Sequence, residues 1–379
     1  MQTIHFGSEA ITSGYNTKVS VRPRRTLTFV TTLAHKLSFS AFPLKITLRG
    51  EDAEEKNLQL CFVKKRIMKT TPIICLALLL GFSACKKEDP DGIAYGKNRF
   101  TTTVDGDERE YYVHVPKGYD GETAVPVVFM LHGTSGDGEK FYNISGWKEV
   151  GEAENILTVF PSSWRYCIID EGEQKTTTKW NSQPAEWDFC PGENPRDDFK
   201  FLRKVISELS ARYNVDSKRI YLCGFSNGGQ MAASCSVHMS DVLAGIVENA
   251  GTFYTDTTYV PARRLPTAFQ LGNKDYGAGV DGPEISLALI DTILANTTYA
   301  PGRSTKTHIN TFGIDPNYTL SGDTLTAMVA TYPSLEGNPD IEYRFVFVKG
   351  LGHAYPNGDN HWMYGAEVHW QWLKQFSLP

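Results

Sequence analysis

Gly224-Phe225-Ser226-Asn227-Gly228 sets a serine between two glycines. The apolar run Ile220 to Cys223 leads into it, and the small, helix-compatible residues Gly229 to Ala233 follow. A serine hydroxyl is a poor nucleophile until a base removes its proton, and the base needs an acid to orient it. A strand, a tight turn and a helix around Gly-x-Ser-x-Gly provide the presentation. The two residues without a Cβ let strand and helix approach closely, while the serine is held in a strained conformation with its hydroxyl exposed. Ser226 therefore reads as an acyl-transfer nucleophile. The backbone N–H of Asn227, at the helix start where it has no intrahelical partner, reads as an oxyanion donor.

The partners are sought downstream, at strand ends. After the strand Ala268-Phe269-Gln270-Leu271 comes Gly272-Asn273-Lys274-Asp275, which places Asp275 in a loop at the carboxyl end of a strand, where open α/β sheets bind ligands. After Val346-Phe347-Val348 comes Lys349-Gly350-Leu351-Gly352-His353, and His353 sits in an equivalent loop. The rivals are placed less well. His369 falls inside the last helix, His361 lies just before it, and His308 lies in a polar, Thr-rich segment with no strand leading into it. Asp281 shares a Gly-rich loop with Asp275. The second oxyanion donor is assigned to the backbone of Thr134, in the loop His132-Gly133-Thr134-Ser135-Gly136 that follows Val127 to Leu131. His132 precedes the nucleophile and reads as a structural residue beneath that loop.

These positions need a scaffold in which strands and helices alternate. Tyr111 to Val115, Val127 to Leu131, Ile156 to Pro161, Val242 to Glu248, Thr267 to Leu271 and Tyr343 to Val348 read as strands. Helices are expected over Trp147 to Ala153, Phe199 to Tyr213 and Gly365 to Phe376. The fully apolar strands are of the type buried on both faces of a parallel sheet. Such alternation predicts a three-layer α/β sandwich with a mostly parallel central sheet.

The 379 residues carry a formal net charge of -5 and a mean hydropathy of -0.30, which argues against a nucleic-acid partner. Met68 to Cys85 departs from this average. It has a basic start, an apolar run too short to span a bilayer comfortably, and small residues before a cysteine, the form of a secretory signal. Its ending Phe82-Ser83-Ala84-Cys85 resembles a lipobox, with Cys85 lipidated as the mature N-terminus. Lys86-Lys87-Glu88-Asp89 resembles the export signal of Bacteroidetes-type surface lipoproteins. The expectation is a cell-surface or outer-membrane lipoprotein, reaching the membrane only through its lipid. Residues 1–67 read as an extension from a mis-set start codon or as a disordered arm, 86–98 as a tether and 99–379 as the functional domain. Export makes a disulfide between Cys167 and Cys190, which flank a polar loop, plausible. Cys223 and Cys235 read as small buried hydrophobes, and no cysteine pair has metal-ligand spacing.

Together Leu131-His132-Gly133, Gly224 to Gly229, Gly272 to Asp275 and Gly350-Leu351-Gly352-His353-Ala354-Tyr355-Pro356 resemble the polyhydroxybutyrate depolymerase and feruloyl esterase group of α/β hydrolases. Trp180-Asn181 and Asp197-Asp198-Phe199 are similar to segments those enzymes carry before the elbow. Two positions depart from the family: Tyr355 stands where a tryptophan is usual, and Lys274 where a small residue is common. The resemblance, which covers about Tyr111 to the C-terminus, implies an α/β-hydrolase fold. It also implies a cofactor-independent serine esterase acting on acylated plant polysaccharide, such as feruloylated or acetylated xylan, or on a polyester. Trp164, Trp180 and Trp187, with Tyr355, are the expected substrate-binding aromatics. The alternatives are a polyhydroxyalkanoate depolymerase or peptidase on the same triad and, from another class, a glycan-binding lipoprotein that has lost catalysis.

Overall fold

The computed structural model describes residues 92–170, 172–182, 189–255, 257–280 and 282–379. The signal segment, Cys85, Trp187 and Asp281 lie outside the described residues.

The chain enters the sheet through a hairpin, β1 (Gly96–Val104) and β2 (Asp107–Val115). Their turn is Asp105-Gly106, both with positive φ (54° and 92°), the two-residue geometry that matches the twist of paired strands. Gly96 to Asn98 already pair with Val113 to Val115, so the sheet begins inside the stretch expected as tether. Next come β3 (Val125–Leu131), the helices α1 (Gly138–Ile144) and α2 (Trp147–Glu154), and β4 (Leu157–Pro161). A separate hairpin follows, β5 (Trp164–Asp170) and β6 (Glu173–Lys179), then α3 (Asp198–Arg212), β7 (Val215–Phe225), α4 (Asn227–His238), β8 (Gly245–Asn249) and β9 (Thr267–Gly272). The chain ends with α5 (Ile290–Ala295), α6 (Ala300–Phe312), β10 (Thr319–Gly322), β11 (Ala327–Pro333), β12 (Glu342–Val348) and α7 (Gly365–Leu373).

The main sheet has the order β1-β2-β4-β3-β7-β8-β9-β12-β11-β10. Its central strands β4, β3, β7, β8, β9 and β12 are parallel, and antiparallel strands flank them on both sides. Alternation along β3 explains the two core layers. Val127, Phe129 and Leu131 pack with side chains of α3, α4, α5 and α6, while Val128 and Met130 pack with Phe141 of α1, Trp147 of α2 and Trp370 of α7. A strand with helices on both faces reads as a continuous apolar run for this reason. The architecture is the expected three-layer α/β sandwich with a mostly parallel central sheet.

Several element ends differ from the expectation by a few residues, α7 ending at Leu373 rather than Phe376, and two differences have a clear cause. Val242 to Ala244 are not strand, because Val242 and Leu243 donate their N–H groups to the carbonyl of Met239 and close the end of α4. The Thr-rich segment around His308 is the helix α6, whose buried face is built from Ser304, Thr305, Thr307, His308 and Thr311.

Candidate active site

Strands β3, β7, β9 and β12 deliver their following loops to one edge of the sheet, at their carboxyl ends. Ser226 follows β7 directly, with φ 55° and ψ −122°, a strained conformation for a residue with a side chain. Close packing holds it there. A Cβ on Gly224 would lie 1.9 Å from the carbonyl oxygen of Gly228, and one on Gly228 would lie 2.4 Å and 2.5 Å from those of Leu131 and His132. A third glycine completes the seat: a Cβ on Gly251, after β8, would meet the Ser226 carbonyl oxygen at 1.9 Å. The Ser226 N–H donates to Asn249 O at 2.7 Å.

Ser226 Oγ lies 2.9 Å from His353 Nε2, and His353 Nδ1 lies 2.9 Å from Asp275 Oδ1. A carboxylate oxygen only accepts, so Nδ1 carries the proton and Nε2 is left to accept from the serine hydroxyl. The Asp275 side chain is buried at 3% exposure, whereas that of His353 keeps 15%. The Gly277 N–H donates to Asp275 Oδ1 at 3.0 Å. Close approach is again built with glycine, since a Cβ on Gly272 would sit 2.0 Å from Leu351 O, between the loops carrying Asp275 and His353. Asn273 ties the same loops by accepting from Gly350 N at 2.7 Å.

The loop after β3 borders the elbow. A Cβ on Gly133 would lie 3.1 Å from Ser226 Cβ, so Thr134 follows beside the nucleophile. Among the described residues, the N–H groups of Thr134 and Asn227 donate no hydrogen bond. His132 underpins the loop as expected. It is fully buried, accepts from Ser163 N at Nε2 (3.0 Å) and donates from Nδ1 to Gly133 O (2.7 Å), and burial lowers its pKa to about 4, so it stays neutral. The β5–β6 hairpin braces the loop from the other side. Ser135 N donates to Thr178 O (3.0 Å), Thr178 Oγ1 donates to Gly136 O (2.6 Å), and the hydroxyls of Ser135 and Thr177 are 2.8 Å apart. Cys167 on β5 is disulfide-bonded to Cys190, while Cys223 and Cys235 are free and buried.

Two of the expected substrate aromatics are enclosed among other partners. Trp180 is fully buried and donates from Nε1 to His132 O at 2.9 Å, and its N–H donates to Asn227 Oδ1 at 2.6 Å. It clamps the elbow to the oxyanion loop, and no ring face is left for a substrate. Tyr355 is 5% exposed, with its hydroxyl enclosed between Trp147 and His369. Trp164, on β5, lies under the guanidinium of Arg196 at 4.7 Å. The rival histidines are engaged elsewhere: His308 bonds Glu248 in the core, His361 donates to Lys349 O, and His369 bonds Tyr355 and Gln270. Sequence reasoning missed Phe225, whose ring lies 5.1 Å from that of His353. It also missed Gly251, whose signal, a glycine just past a buried strand, is visible beside Ala250.

Residues 102–252 match the family model described as "Putative esterase". The chain is 28% identical over 266 residues to "Putative esterase NocK" of Nocardia uniformis subsp. tsuyamanensis, covering 67% of this chain and 73% of that protein. It is 24% identical to poly(3-hydroxyalkanoate) depolymerase C of Paucimonas lemoignei, covering 65% of this chain and 58% of the relative. It is also 24% identical to feruloyl esterase B of Piromyces equi, covering 72% and 46%. The chain thus spans about half the length of the last two.

Proposed function

We propose that this chain, a carboxylic ester hydrolase of α/β-hydrolase fold, removes feruloyl or acetyl groups from plant polysaccharide as a secreted, lipid-anchored protein. The observation that carries the chemistry is the hydrogen-bonded line Ser226 Oγ, His353 Nε2, His353 Nδ1, Asp275 Oδ1.

In this reading His353 Nε2 takes the Ser226 proton as Oγ attacks the ester carbonyl carbon, and Asp275 steadies the imidazolium that forms. The tetrahedral oxyanion accepts hydrogen bonds from the N–H groups of Thr134 and Asn227. Collapse breaks the carbon–oxygen bond, and His353 returns its proton to the leaving alkoxide, which departs as the alcohol. Water, deprotonated by His353, then attacks the acyl-enzyme, releasing the carboxylic acid and regenerating the Ser226 hydroxyl.

The polysaccharide substrate is supported by the name of the feruloyl esterase relative and by two exposed aromatic residues in the segments that carry Asp275 and follow His353. Tyr276, next to Asp275, and Trp362, in the segment that leads from His353 to α7, are 38% and 58% exposed. Exposed aromatic faces suit sugar rings or a phenolic acyl group. The lipoprotein anchor rests on the pattern ending at Cys85. A second reading, hydrolysis of a hydroxyalkanoate polyester, is favoured by the depolymerase relative. Purified protein assayed against feruloylated xylan, acetylated xylan and a hydroxybutyrate oligomer separates these; release only from the oligomer would refute the polysaccharide reading. Ser226→Ala is expected to abolish turnover of short-chain p-nitrophenyl esters without unfolding, and retained turnover would refute the nucleophile.

A further inference from the structure

The three side chains of the triad leave three different strands, so their relative placement depends on what ties the strand-end loops together. On its upstream side the His353 loop is held by Asn273 Oδ1, which accepts from Gly350 N, and by Lys274 N, which donates to Leu351 O at 3.0 Å. On the downstream side the first buried side chain is Tyr355. Its hydroxyl takes part in a hydrogen-bonded chain wholly inside the protein: Trp147 Nε1 to Tyr355 Oη 2.9 Å, Tyr355 Oη to His369 Nδ1 3.1 Å, His369 Nε2 to Gln270 Oε1 3.0 Å.

The direction of these bonds follows from the groups themselves. An indole N–H only donates, so Tyr355 Oη accepts from Trp147, and its own hydrogen goes to His369 Nδ1. That nitrogen must then be unprotonated, and His369 carries its single proton on Nε2, donating to the Gln270 amide oxygen. Burial favours this neutral form, lowering the His369 pKa to about 3 and pushing that of the Tyr355 hydroxyl well above its ordinary value. Every member has its partner, the condition under which a buried polar network specifies one arrangement.

The chain connects the segments that carry the triad. Gln270 lies on β9, which leads into Asp275, and Tyr355 is two residues beyond His353. Phe225, the residue before Ser226, has its ring 5.1 Å from that of His353 and 6.4 Å from that of Tyr355, the latter edge-on at 78°. Asn360 Nδ2 also holds the Tyr355 carbonyl at 2.8 Å. We infer that Tyr355 and His369 are positioning residues, which set the distance from His353 Nε2 to Ser226 Oγ by anchoring the His353 loop to β9 and α7. Tyr355 is one of the two places where this chain departs from the family it resembles, and its hydroxyl supplies the bond to His369.

The inference rests on the roles given to Ser226, His353 and Asp275, which Ser226→Ala tests separately. The experiment compares Tyr355→Phe, His369→Leu and His369→Gln in turnover of p-nitrophenyl acetate. Each rate is divided by the active sites counted by complete labelling with a fluorophosphonate. Tyr355→Phe removes one oxygen and keeps the ring, and His369→Leu breaks the same bond from the other end. Each is expected to lower kcat per labelled site by about tenfold to a hundredfold, the scale of a sub-ångström to 1 Å misplacement, with KM within about twofold. His369→Gln can still accept from Tyr355 and donate to Gln270, and it is expected to recover most of what His369→Leu loses. Unchanged kcat per labelled site in either breaking variant, a KM that rises in step, or a His369→Gln no better than His369→Leu overturns the inference. Should Tyr355→Phe fail to fold, the His369 pair decides it.

Discussion

Two buried imidazoles make the fold acid-sensitive, and His369→Gln measures the share of one of them. Burial lowers the pKa of His132 to about 4 and that of His369 to about 3. In the unfolded chain both would titrate near the ordinary histidine value of about 6.5. Below that value the unfolded chain takes up a proton at each site that the folded chain refuses until about pH 4 or pH 3. Stability is therefore complete above pH 6.5 and falls as the pH drops. At pH 5 the difference is about 1.5 log units per imidazole, or about 2 kcal/mol each. Asp198 works in the opposite sense, because burial raises its pKa despite the partner Arg109, so the wild-type slope is a net value. Comparison with a variant removes that complication. Urea unfolding followed by tryptophan fluorescence at pH 8, 7, 6 and 5 should show the pH 8 to pH 5 loss smaller by about 2 kcal/mol in His369→Gln than in wild type. Parallel pH dependences in the two proteins would refute the claim that His369 is held neutral.

Gly228→Ala must push backbone, because its Cβ would meet the carbonyl oxygens of Leu131 and His132 at 2.4 Å and 2.5 Å. A melting curve and esterase rate should show a loss of about 1–3 kcal/mol or more together with at least a tenfold fall in kcat/KM. Trp180→Phe replaces the buried indole by a smaller phenyl ring and leaves the His132 carbonyl without its donor, and chemical denaturation should register about 1–3 kcal/mol or more. Cys167→Ser opens a link of sequence separation 23, worth about 3 kcal/mol by loop entropy, and a lowered melting temperature under non-reducing conditions is the readout.

What was legible in the sequence is what a local backbone requirement writes into it. The nucleophile turn needs residues without a Cβ at Gly224 and Gly228, and the approach of the Asp275 loop to the His353 loop needs one at Gly272, so glycines mark the site before any fold is known. The central strands were legible because burial on both faces makes most of their positions apolar, as throughout Val125 to Leu131. The elements that escaped have weaker marks. The β5–β6 hairpin carries Glu173, Gln174, Lys175 and a run of threonines, and its turn at Gly172 shows no Asn-Gly or Asp-Gly pair. Asp105-Gly106 is such a pair, and the strand before it begins inside the stretch expected as tether.

The roles of Tyr355 and α6 escaped for a different reason, since both depend on polar side chains satisfied inside the protein by partners far along the chain. Trp147 and Tyr355 are 208 residues apart, and His308 and Glu248 are 60 apart. Thr305 bonds Tyr343, Thr307 bonds the carbonyl of Thr255, and Ser304 bonds Thr252, so a face that reads as solvent-exposed is fully buried. Apolar periodicity detects only burial driven by removing hydrocarbon from water. Burial of a hydroxyl or an imidazole instead costs free energy unless each donor and acceptor finds a partner. Such a face can therefore be recognised only when both partners are known, and the same condition holds for Tyr355, which reads in sequence as a substrate contact but has its hydroxyl enclosed between Trp147 and His369. An aromatic residue beside a catalytic histidine is ambiguous in sequence between recognising a ligand and holding the loop. The deciding quantity is whether its polar tip is satisfied from within, as it is here at 2.9 Å and 3.1 Å.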